Sequence, residues 1–145
     1  MNQDRLNEIG NEIRTQDNRI TADPLFCVFE KERIFGIDPD FTYDGFEWVD
    51  RDNNESWEEG EISEEKAKGR GYEKCFYVER DRFCNAHFTE KSADHFIKIN
   101  RHNLTKPFTY VTSLWRCYEM IDIRNYLKSQ GEVQKCQNAR DVGPR

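Results

Sequence analysis

The chain has 145 residues, of which 36% are hydrophobic and 13% aromatic, and it carries a net charge of -6. This length suits one domain with one core, and so many aromatic side chains argue against a wholly disordered chain. The negative charge repels a phosphate backbone and argues against general nucleic-acid binding. No run approaches about 20 apolar residues, and the start lacks the apolar stretch of a signal peptide, so we expect a cytoplasmic protein without a membrane segment.

The first predicted element is a helix over residues 2–20 that ends before Asp23-Pro24. Its narrow apolar stripe consists of Leu6, Ile9, Ile13 and Ile20. Such a stripe resembles a coiled-coil seam but lasts under three heptads, so it suits either dimerisation or packing on the chain's own domain. We keep both interpretations at this point.

Strands follow this helix. The apolar run 25–29 predicts a buried strand, and residues 30–37 either turn towards a second strand or continue into it. Asp38-Pro39-Asp40 predicts a turn. A further strand is predicted at 46–49, because apolar and polar residues alternate there.

The segment from Asp50 to Lys68 is strongly acidic. It has eight acidic and three basic residues, a charge of -5, so the rest of the chain is nearly neutral at -1. We interpret it as an acidic insertion that forms a loop or a frayed helix. The alternative is a surface that mimics the phosphates of a nucleic acid, which requires carboxylates on a rigid support.

The third quarter of the chain predicts two strands and a helix. Residues 72–80 and 83–88 form the strands of a hairpin or meander. Thr89 is a suitable N-cap for a helix that ends around Asn100, with Ala93, Phe96 and Ile97 facing inwards. Residues 100–104 then form a polar loop.

The last part of the chain predicts an edge strand at 107–111 and a helix that Ser113 caps and that ends near Ser129 or Gln130. Residues 131–145 are predicted to be a flexible tail. The expected fold class is therefore α+β, a single domain over 1–130 in which an N-terminal helix and two helices of the C-terminal half pack on an antiparallel sheet.

Cysteine and histidine give no sign of a metal site or a disulfide framework. The five cysteines are Cys27, Cys75, Cys84, Cys117 and Cys136, and they form no Cys-x-x-Cys pair. We expect reduced thiols, with Cys27 and Cys75 filling apolar space. A meeting of His95 with Cys84 as base and nucleophile is the weak catalytic alternative.

Two arginines break the pattern of the last predicted helix, because Arg116 and Arg124 point into its apolar arc. Arg116 would also lie in the first helical turn, where the helix dipole favours an anion over a cation. A phosphate-bearing ligand resolves this conflict. The alternative is an arginine that extends to water or pairs with a carboxylate.

Aromatic and amide side chains near Arg116 in sequence complete a nucleotide-type site. An aromatic face stacks on a base, a guanidinium holds phosphate, and an amide binds ribose hydroxyls or a base edge. The aromatic candidates are Phe88, Phe108, Tyr110, Trp115 and Tyr118, and the amide candidates are Asn100 and Asn103. Each alone also suits a core, cap or turn position.

Several of these residues lie in segments that resemble a family of small phage and prophage proteins. The shared segments are Thr-Gln-Asp-Asn-Arg-Ile-Thr-Ala at 15–22, Phe-Thr-Glu-Lys at 88–91, Asn-x-His-Asn-Leu at 100–104, and the Tyr110-Val111 strand leading to Arg116. The chain resembles the first-described phage anti-Thoeris proteins over about 15–37 and 72–127. The acidic segment and both ends lie outside the resemblance.

The resemblance implies a protein that sequesters a cyclic ADP-ribose-type signal of a bacterial defence system without degrading it. It implies a homodimer or higher homo-oligomer whose pockets involve both subunits. By this resemblance Phe88 stacks on the adenine, Asn100 binds the ligand and Arg116 holds the pyrophosphate, with Arg33 a weaker candidate. The helix pattern that selects Arg116 does not choose between Asn100 and Asn103 as the amide. Cys117 departs from the asparagine that the resemblance leads us to expect after the arginine.

The leading hypothesis is therefore a binding protein with no enzymatic activity and no cofactor. It captures a cyclic ADP-ribose isomer, with cyclic oligonucleotides as further candidate ligands. The alternative is an acidic mimic of nucleic acid that inhibits a host nuclease or CRISPR complex. A hydrolase of the signal is a third class, for which the sequence contains no motif.

Overall fold

The computed structural model describes residues 1–132, which form four α-helices, a short 3₁₀ helix and five strands. In chain order these are α1 (Gln3–Thr15), β1 (Pro24–Phe35), β2 (Gly45–Asp50), β3 (Glu55–Glu58), α2 (Glu64–Gly69), β4 (Glu73–His87), α3 (Glu90–Asn100), the 3₁₀ helix (Arg101–Asn103), β5 (Phe108–Ser113) and α4 (Tyr118–Ser129). The strands form one antiparallel sheet in the order β3-β2-β4-β1-β5. The predicted α+β class is confirmed.

The chain divides into two compact units. The first contains Met1–Glu30 and the chain from Phe83 onwards, and the second is Lys31–Arg82. Strands β1 and β4 each continue from one unit into the other along the chain. The single domain predicted over 1–130 stays a prediction, and the predicted tail lies outside the described residues apart from Gly131 and Glu132.

The core of the first unit lies between its strands and α3. Phe26, Val28 and Ala93 are fully buried. Four partly buried side chains pack against them: Cys84, Phe96, Ile97 and Val111. The inward positions predicted for α3 are confirmed, and so is its N-cap, because the Thr89 hydroxyl accepts a hydrogen bond from the amide of Ser92. The edge position predicted for the strand after Pro107 is also confirmed.

Helix α1 packs against α4. Gly10 and Ile13 are its buried residues, so in this structure the apolar stripe covers the chain's own unit. The predicted end of the helix near residue 20 is wrong, since α1 ends at Thr15 and Ile20 is almost fully exposed. The cause is a long-range contact, because Gln16 has an extended backbone and its side-chain amide binds the β4–α3 connection.

Two strand predictions also need correction. Residues 30–35 continue β1, and β4 is a single 15-residue strand where two strands were predicted. The polar pair Asp81-Arg82 does not interrupt β4. Asp81 accepts a hydrogen bond from Lys31 at 2.5 Å, which gives this carboxylate a partner on the strand beside it.

The acidic segment is ordered, contrary to the predicted loop or frayed helix. It contains β3, which pairs with β2, and α2, which begins after the N-cap Ser63. The Trp57 ring stacks on Tyr72 with centroids 4.6 Å apart, and the Glu64 carboxylate pairs with Lys68 at 2.9 Å. These contacts stabilise the segment, and its net charge alone does not reveal them.

The last helix begins later than predicted. Ser113 ends β5, and α4 starts at Tyr118 with Cys117 as a residue that makes no side-chain cap bond. A turn separates the two elements, in which the amide of Cys117 donates to the carbonyl of Leu114 at 2.8 Å. Within residues 1–132 no helix is both long and apolar enough to cross a membrane.

Candidate functional site

Arg116 lies in the turn before α4, outside the helix in which the sequence placed it. Its φ is +61°, in the left-handed region that side chains with a Cβ rarely adopt. Its guanidinium carbon lies 4.2 Å from the centroid of the Trp115 ring, and both residues are exposed. Arg116 therefore does not point into an apolar face, which corrects the prediction.

The Arg116 turn presents a cation and aromatic rings to solvent. Trp115 is 72% exposed and Tyr118 is 71% exposed, which is high for side chains of this size. Arg116 makes no ion pair with any residue of the described chain 1–132. A guanidinium that contacts an aromatic ring in this way can still donate its N–H groups to an anionic ligand.

Arg124, the second arginine of the pattern, is buried. It is 1% exposed, its Nη1 lies 3.4 Å from Asp23 Oδ1, and its Nη2 donates to Asn18 Oδ1 at 3.2 Å. Burial lowers the pKa of Arg124, and the charge of Asp23 partly opposes this. The carboxylate-paired alternative is therefore the observed one, and Arg124 is not open to a ligand.

Phe88 follows β4 and lines an open cleft of about 300 Å³ in the first unit. Its lining includes the apolar residues Met1, Ile9 and Leu127 and the polar residues Arg5, His87 and Ser92. The carbonyl of Phe88 accepts a hydrogen bond from Gln16 Nε2 at 3.0 Å, which fixes its backbone. Phe88 thus lines a cleft, and its stacking role stays a prediction.

The two asparagines are not equivalent. Asn100 ends α3, and its Nδ2 donates to the carbonyl of Phe96 at 2.9 Å, so this amide bonds its own helix. The φ of Asn100 is -106°, outside the left-handed region in which an asparagine often ends a helix. Asn103 is exposed on the 3₁₀ helix, with its amide 3.1 Å from His102 Nε2.

Arg33 belongs to the second unit and is already neutralised. Its guanidinium contacts three carboxylates, at 2.7 Å (Glu47), 3.1 Å (Glu58) and 3.7 Å (Glu79), and it lies 4.4 Å from the centroid of the Tyr77 ring. A ligand phosphate would have to displace these partners. This geometry makes Arg33 a structural cation of its unit.

The structure does not gather the predicted residues into one pocket. Neither Asn100 nor Arg116 lines the Phe88 cleft, and Asn103 does not line it either. What it does bring together is Arg116 with Trp115, and Phe88 with the cation Arg5. These are two separate candidate subsites on the first unit.

A charged groove next to the Phe88 cleft was missed by the sequence analysis. It is larger, about 690 Å³, and Arg5 and Glu12 line both spaces. Its basic side chains are Arg5, Lys91, His95 and Lys98, and its carboxylates are Glu8, Glu12 and Asp94. The positions 91, 95 and 98 follow helical spacing on α3, and this signal was present in the sequence.

A second missed feature is a chain of polar contacts around His87. Its Nδ1 lies 2.8 Å from Ser92 Oγ, and its Nε2 lies 2.9 Å from Asn85 Oδ1. Burial lowers the pKa of His87. The alternation of Asn85 and His87 on β4 places them on one face, but only the start of α3 brings Ser92 to them.

The thiols behave largely as expected. Cys27 is buried, and burial raises the pKa of its thiol, while Cys117 is exposed. Cys136 lies outside the described residues. Within residues 1–132 no group of histidine, cysteine and acidic side chains could hold a metal ion.

Comparison with known proteins adds no relative. The sequence matches no family model, no curated protein and no solved structure.

Proposed function

We propose that the protein binds a nucleotide signal of the cyclic ADP-ribose class and sequesters it without converting it. The observation that carries this proposal is the Arg116 turn, where an arginine that makes no ion pair within residues 1–132 lies 4.2 Å from the centroid of the exposed Trp115 ring. A guanidinium fork and an aromatic face are the two groups that a pyrophosphate and a purine require. The ligand class itself comes from the sequence resemblance.

The strain of the turn supports a ligand role. A residue with a long side chain at φ +61° costs about 1 kcal/mol or more relative to glycine, and such costs persist where the side chain serves a purpose. The start of α4 lies directly beyond Arg116 and has no side-chain cap, so its first amides favour an anion in the same place. Phe88 in its cleft offers a second aromatic face.

The proposal extends to assembly and location. The resemblance implies a homodimer or higher homo-oligomer that acts in the cytoplasm of an infected bacterial cell, as an anti-defence protein against Thoeris-type signalling. Light scattering with and without ligand tests the oligomer. Sequestration needs a preorganised site and stoichiometric amounts of protein, and it needs no catalytic group.

The decisive experiment measures depletion and recovery. The full chain is incubated with a panel of cyclic ADP-ribose isomers and cyclic oligonucleotides, separated by ultrafiltration, and then heated to release bound compound for mass spectrometry. We expect one isomer to be depleted from the filtrate and recovered unchanged after heating. Recovery of a converted product, or no depletion of any nucleotide, contradicts the proposal.

Variants of Arg116 sharpen this test. Arg116→Gly removes the side chain while relieving the left-handed backbone, so the fold is preserved and affinity is expected to fall by at least 100-fold. Arg116→Lys keeps the charge but loses the planar fork, and we expect an intermediate loss. Arg101→Gln, at another exposed arginine of the first unit, is the matched control. Wild-type affinity in Arg116→Gly contradicts the assignment of this residue.

The acidic mimic is kept as a second candidate because the acidic segment is ordered. Its carboxylates lie on β3, on α2 and between them, which provides the fixed support that a mimic requires. Hydrogen bonds from Asn53 lower the pKa of Asp50, and Lys68 lowers the pKa of Glu64, so both carboxylates are ionised at neutral pH. Their partner would be a phosphate-binding host protein.

A further inference from the structure

His87 is the centre of a three-residue polar chain in the first unit. Ser92 Oγ lies on one side of the imidazole at 2.8 Å and Asn85 Oδ1 on the other at 2.9 Å. The ring is also packed against Phe96, with centroids 5.8 Å apart, so its orientation is fixed. Two neighbouring elements, the end of β4 and the first turn of α3, create this alignment.

The partners determine where the protons lie. Asn85 Oδ1 can only accept, so His87 Nε2 must carry a hydrogen and donate it. Burial of the ring favours the neutral imidazole, which leaves a lone pair on Nδ1. The hydroxyl of Ser92 therefore donates to Nδ1, the arrangement in which a histidine acts as base towards a serine while a third group holds its tautomer.

The serine is also accessible. Ser92 and His87 both line the 300 Å³ cleft that contains Phe88, and its lining also includes the apolar side chains of Ile9 and Leu127. Arg5 lines the same cleft, and its guanidinium pairs with the exposed Glu8 at 2.9 Å. By releasing Glu8 it would stabilise the negative charge that develops on an acyl oxygen, whereas the amides of Glu90 and Ser92 are already bonded to Gln16 and Thr89.

We propose that Ser92 is a nucleophile for acyl transfer, with His87 as general base and Asn85 as the positioning residue, acting on esters that have an apolar acyl group. Ser92 Oγ bonds to the carbonyl carbon while its proton passes to His87 Nδ1. The bond to the alcohol oxygen then breaks, and the alcohol leaves with that proton. Water attacks the acyl-serine by the same route and releases the acid, so no further reactant is needed. This activity shares the Phe88 cleft with the proposed sequestration but requires no residue of the Arg116 turn.

The test uses a fluorophosphonate probe on the full chain. Its phosphorus bonds to a nucleophilic serine with loss of fluoride, so peptide mass spectrometry identifies the labelled serine whatever ester the protein acts on. We expect Ser92 to be labelled at least 100-fold faster than Ser129, a partly buried helical serine whose hydroxyl donates to the Tyr126 carbonyl and has no histidine beside it, and expect no preference in guanidinium-unfolded protein. Equal labelling of the two serines in folded protein overturns the proposal.

Variants identify the roles of the other two residues. His87→Gln should slow labelling of Ser92 by at least 100-fold, and an unchanged rate overturns the role of His87 as base. Asn85→Leu removes the acceptor and should slow labelling, whereas Asn85→Asp restores it; equal rates in these two variants overturn the positioning role. With the butyrate ester of p-nitrophenol, the wild type should release one nitrophenolate per chain in an initial burst. The Ser92→Ala variant should show no burst, which would assign the burst to this serine.

Discussion

Arg124 is the largest side chain that is fully buried within residues 1–132. Its charge is only partly satisfied, because the Asp23 contact is long at 3.4 Å and the Nε atom has no hydrogen-bond partner. Desolvating a guanidinium costs several kcal/mol, which a single distant carboxylate recovers incompletely. Arg124 therefore connects α4 specifically to the segment before β1, but its desolvation reduces the stability that this contact adds.

Removing Asp23 and removing Arg124 should therefore change the free energy of unfolding by different amounts. Asp23→Asn leaves a buried cation unpaired and should lower the free energy of unfolding by about 2–4 kcal/mol. Arg124→Met keeps most of the volume and removes the desolvation cost, so its loss should be smaller. Urea unfolding followed by circular dichroism measures both. A larger loss in Arg124→Met than in Asp23→Asn contradicts the account.

His87 predicts a pH dependence of stability. Burial lowers its pKa in the folded chain below the ordinary value near 6.5 of the unfolded chain, so protonation favours the unfolded state. Its contribution is fully present above pH 6.5 and is lost as the pH falls from there through the folded pKa. Thermal melts between pH 8 and 5 should therefore show a decrease that His87→Gln reduces. His102→Gln, at an exposed position, is the control and should retain the decrease.

The candidate site shows what sequence patterns can and cannot give at the residue scale. The pattern correctly marked Arg124 as an arginine on an apolar helical face. The stacking role predicted for Phe88 stays a prediction, although this residue lines a cleft. It misplaced Arg116, because helical periodicity was extended through a turn that only φ +61° reveals. The hydrogen bonds of His87 with Asn85 and Ser92 could not be predicted from the sequence, because they depend on how the end of β4 and the start of α3 are placed in space.

At the scale of elements, α1 and α4 approach so closely that only glycine fits between them. A Cβ on Gly10 would lie 2.6 Å from the carbonyl oxygen of Leu127 and would also clash with that of Gln130. These are backbone atoms at the end of α4, which cannot rotate away. Arg14 reinforces the contact by donating to the carbonyls of Lys128 and Gln130.

Gly10→Ala should therefore destabilise the protein even though alanine favours helices. The gain in helix propensity is about 1 kcal/mol, whereas separating two packed backbones costs more, so we expect a net loss of about 2–4 kcal/mol in the free energy of unfolding. Gly69→Ala is the matched control, because this helical glycine of α2 has open space around it and should be neutral or stabilising. A stable Gly10→Ala would contradict the close approach of α1 and α4.

Elements were predicted well where local chemistry decides them. The N-cap of α3, the turn after Asp38 and the strand at 46–49 follow from capping, Asx geometry and alternation, and all are present. The errors arose where distant partners override local signals. Gln16 ends α1 because its side chain bonds the β4–α3 connection. Strand β4 continues past the polar pair Asp81-Arg82 because Lys31 on the neighbouring strand β1 donates a hydrogen bond to Asp81.

At the scale of the whole molecule, charge is distributed unevenly between the two units. Lys31–Arg82 contains 16 acidic and 9 basic residues, a charge of -7, so the remainder of the chain carries +1. The unit that holds Arg116 and Phe88 is thus close to neutral, which does not oppose an anionic ligand. The acidic unit would instead attract a basic partner over about a Debye length, roughly 8 Å at physiological salt.

This asymmetry separates the two candidate functions in one variant. Changing five carboxylates to amides raises the net charge from -6 to -1: Glu58, Glu59, Glu61, Glu64 and Glu65. If the protein sequesters a nucleotide at the Arg116 turn, this variant should deplete the ligand as well as wild type, because none of the five carboxylates lies in the first unit. If it mimics nucleic acid, inhibition of the host protein should be lost together with its salt dependence.

The measurement compares nucleotide depletion by ultrafiltration with protection of phage in cells that carry the defence system. A control variant neutralises five exposed carboxylates of the first unit, so that net charge is matched: Asp4, Asp94, Glu119, Asp122 and Glu132. Sequestration predicts normal depletion and protection by the acidic-segment variant. Loss of protection in that variant alone, with ligand depletion unchanged, would place the biological activity in the acidic unit, because the control has already excluded an effect of net charge.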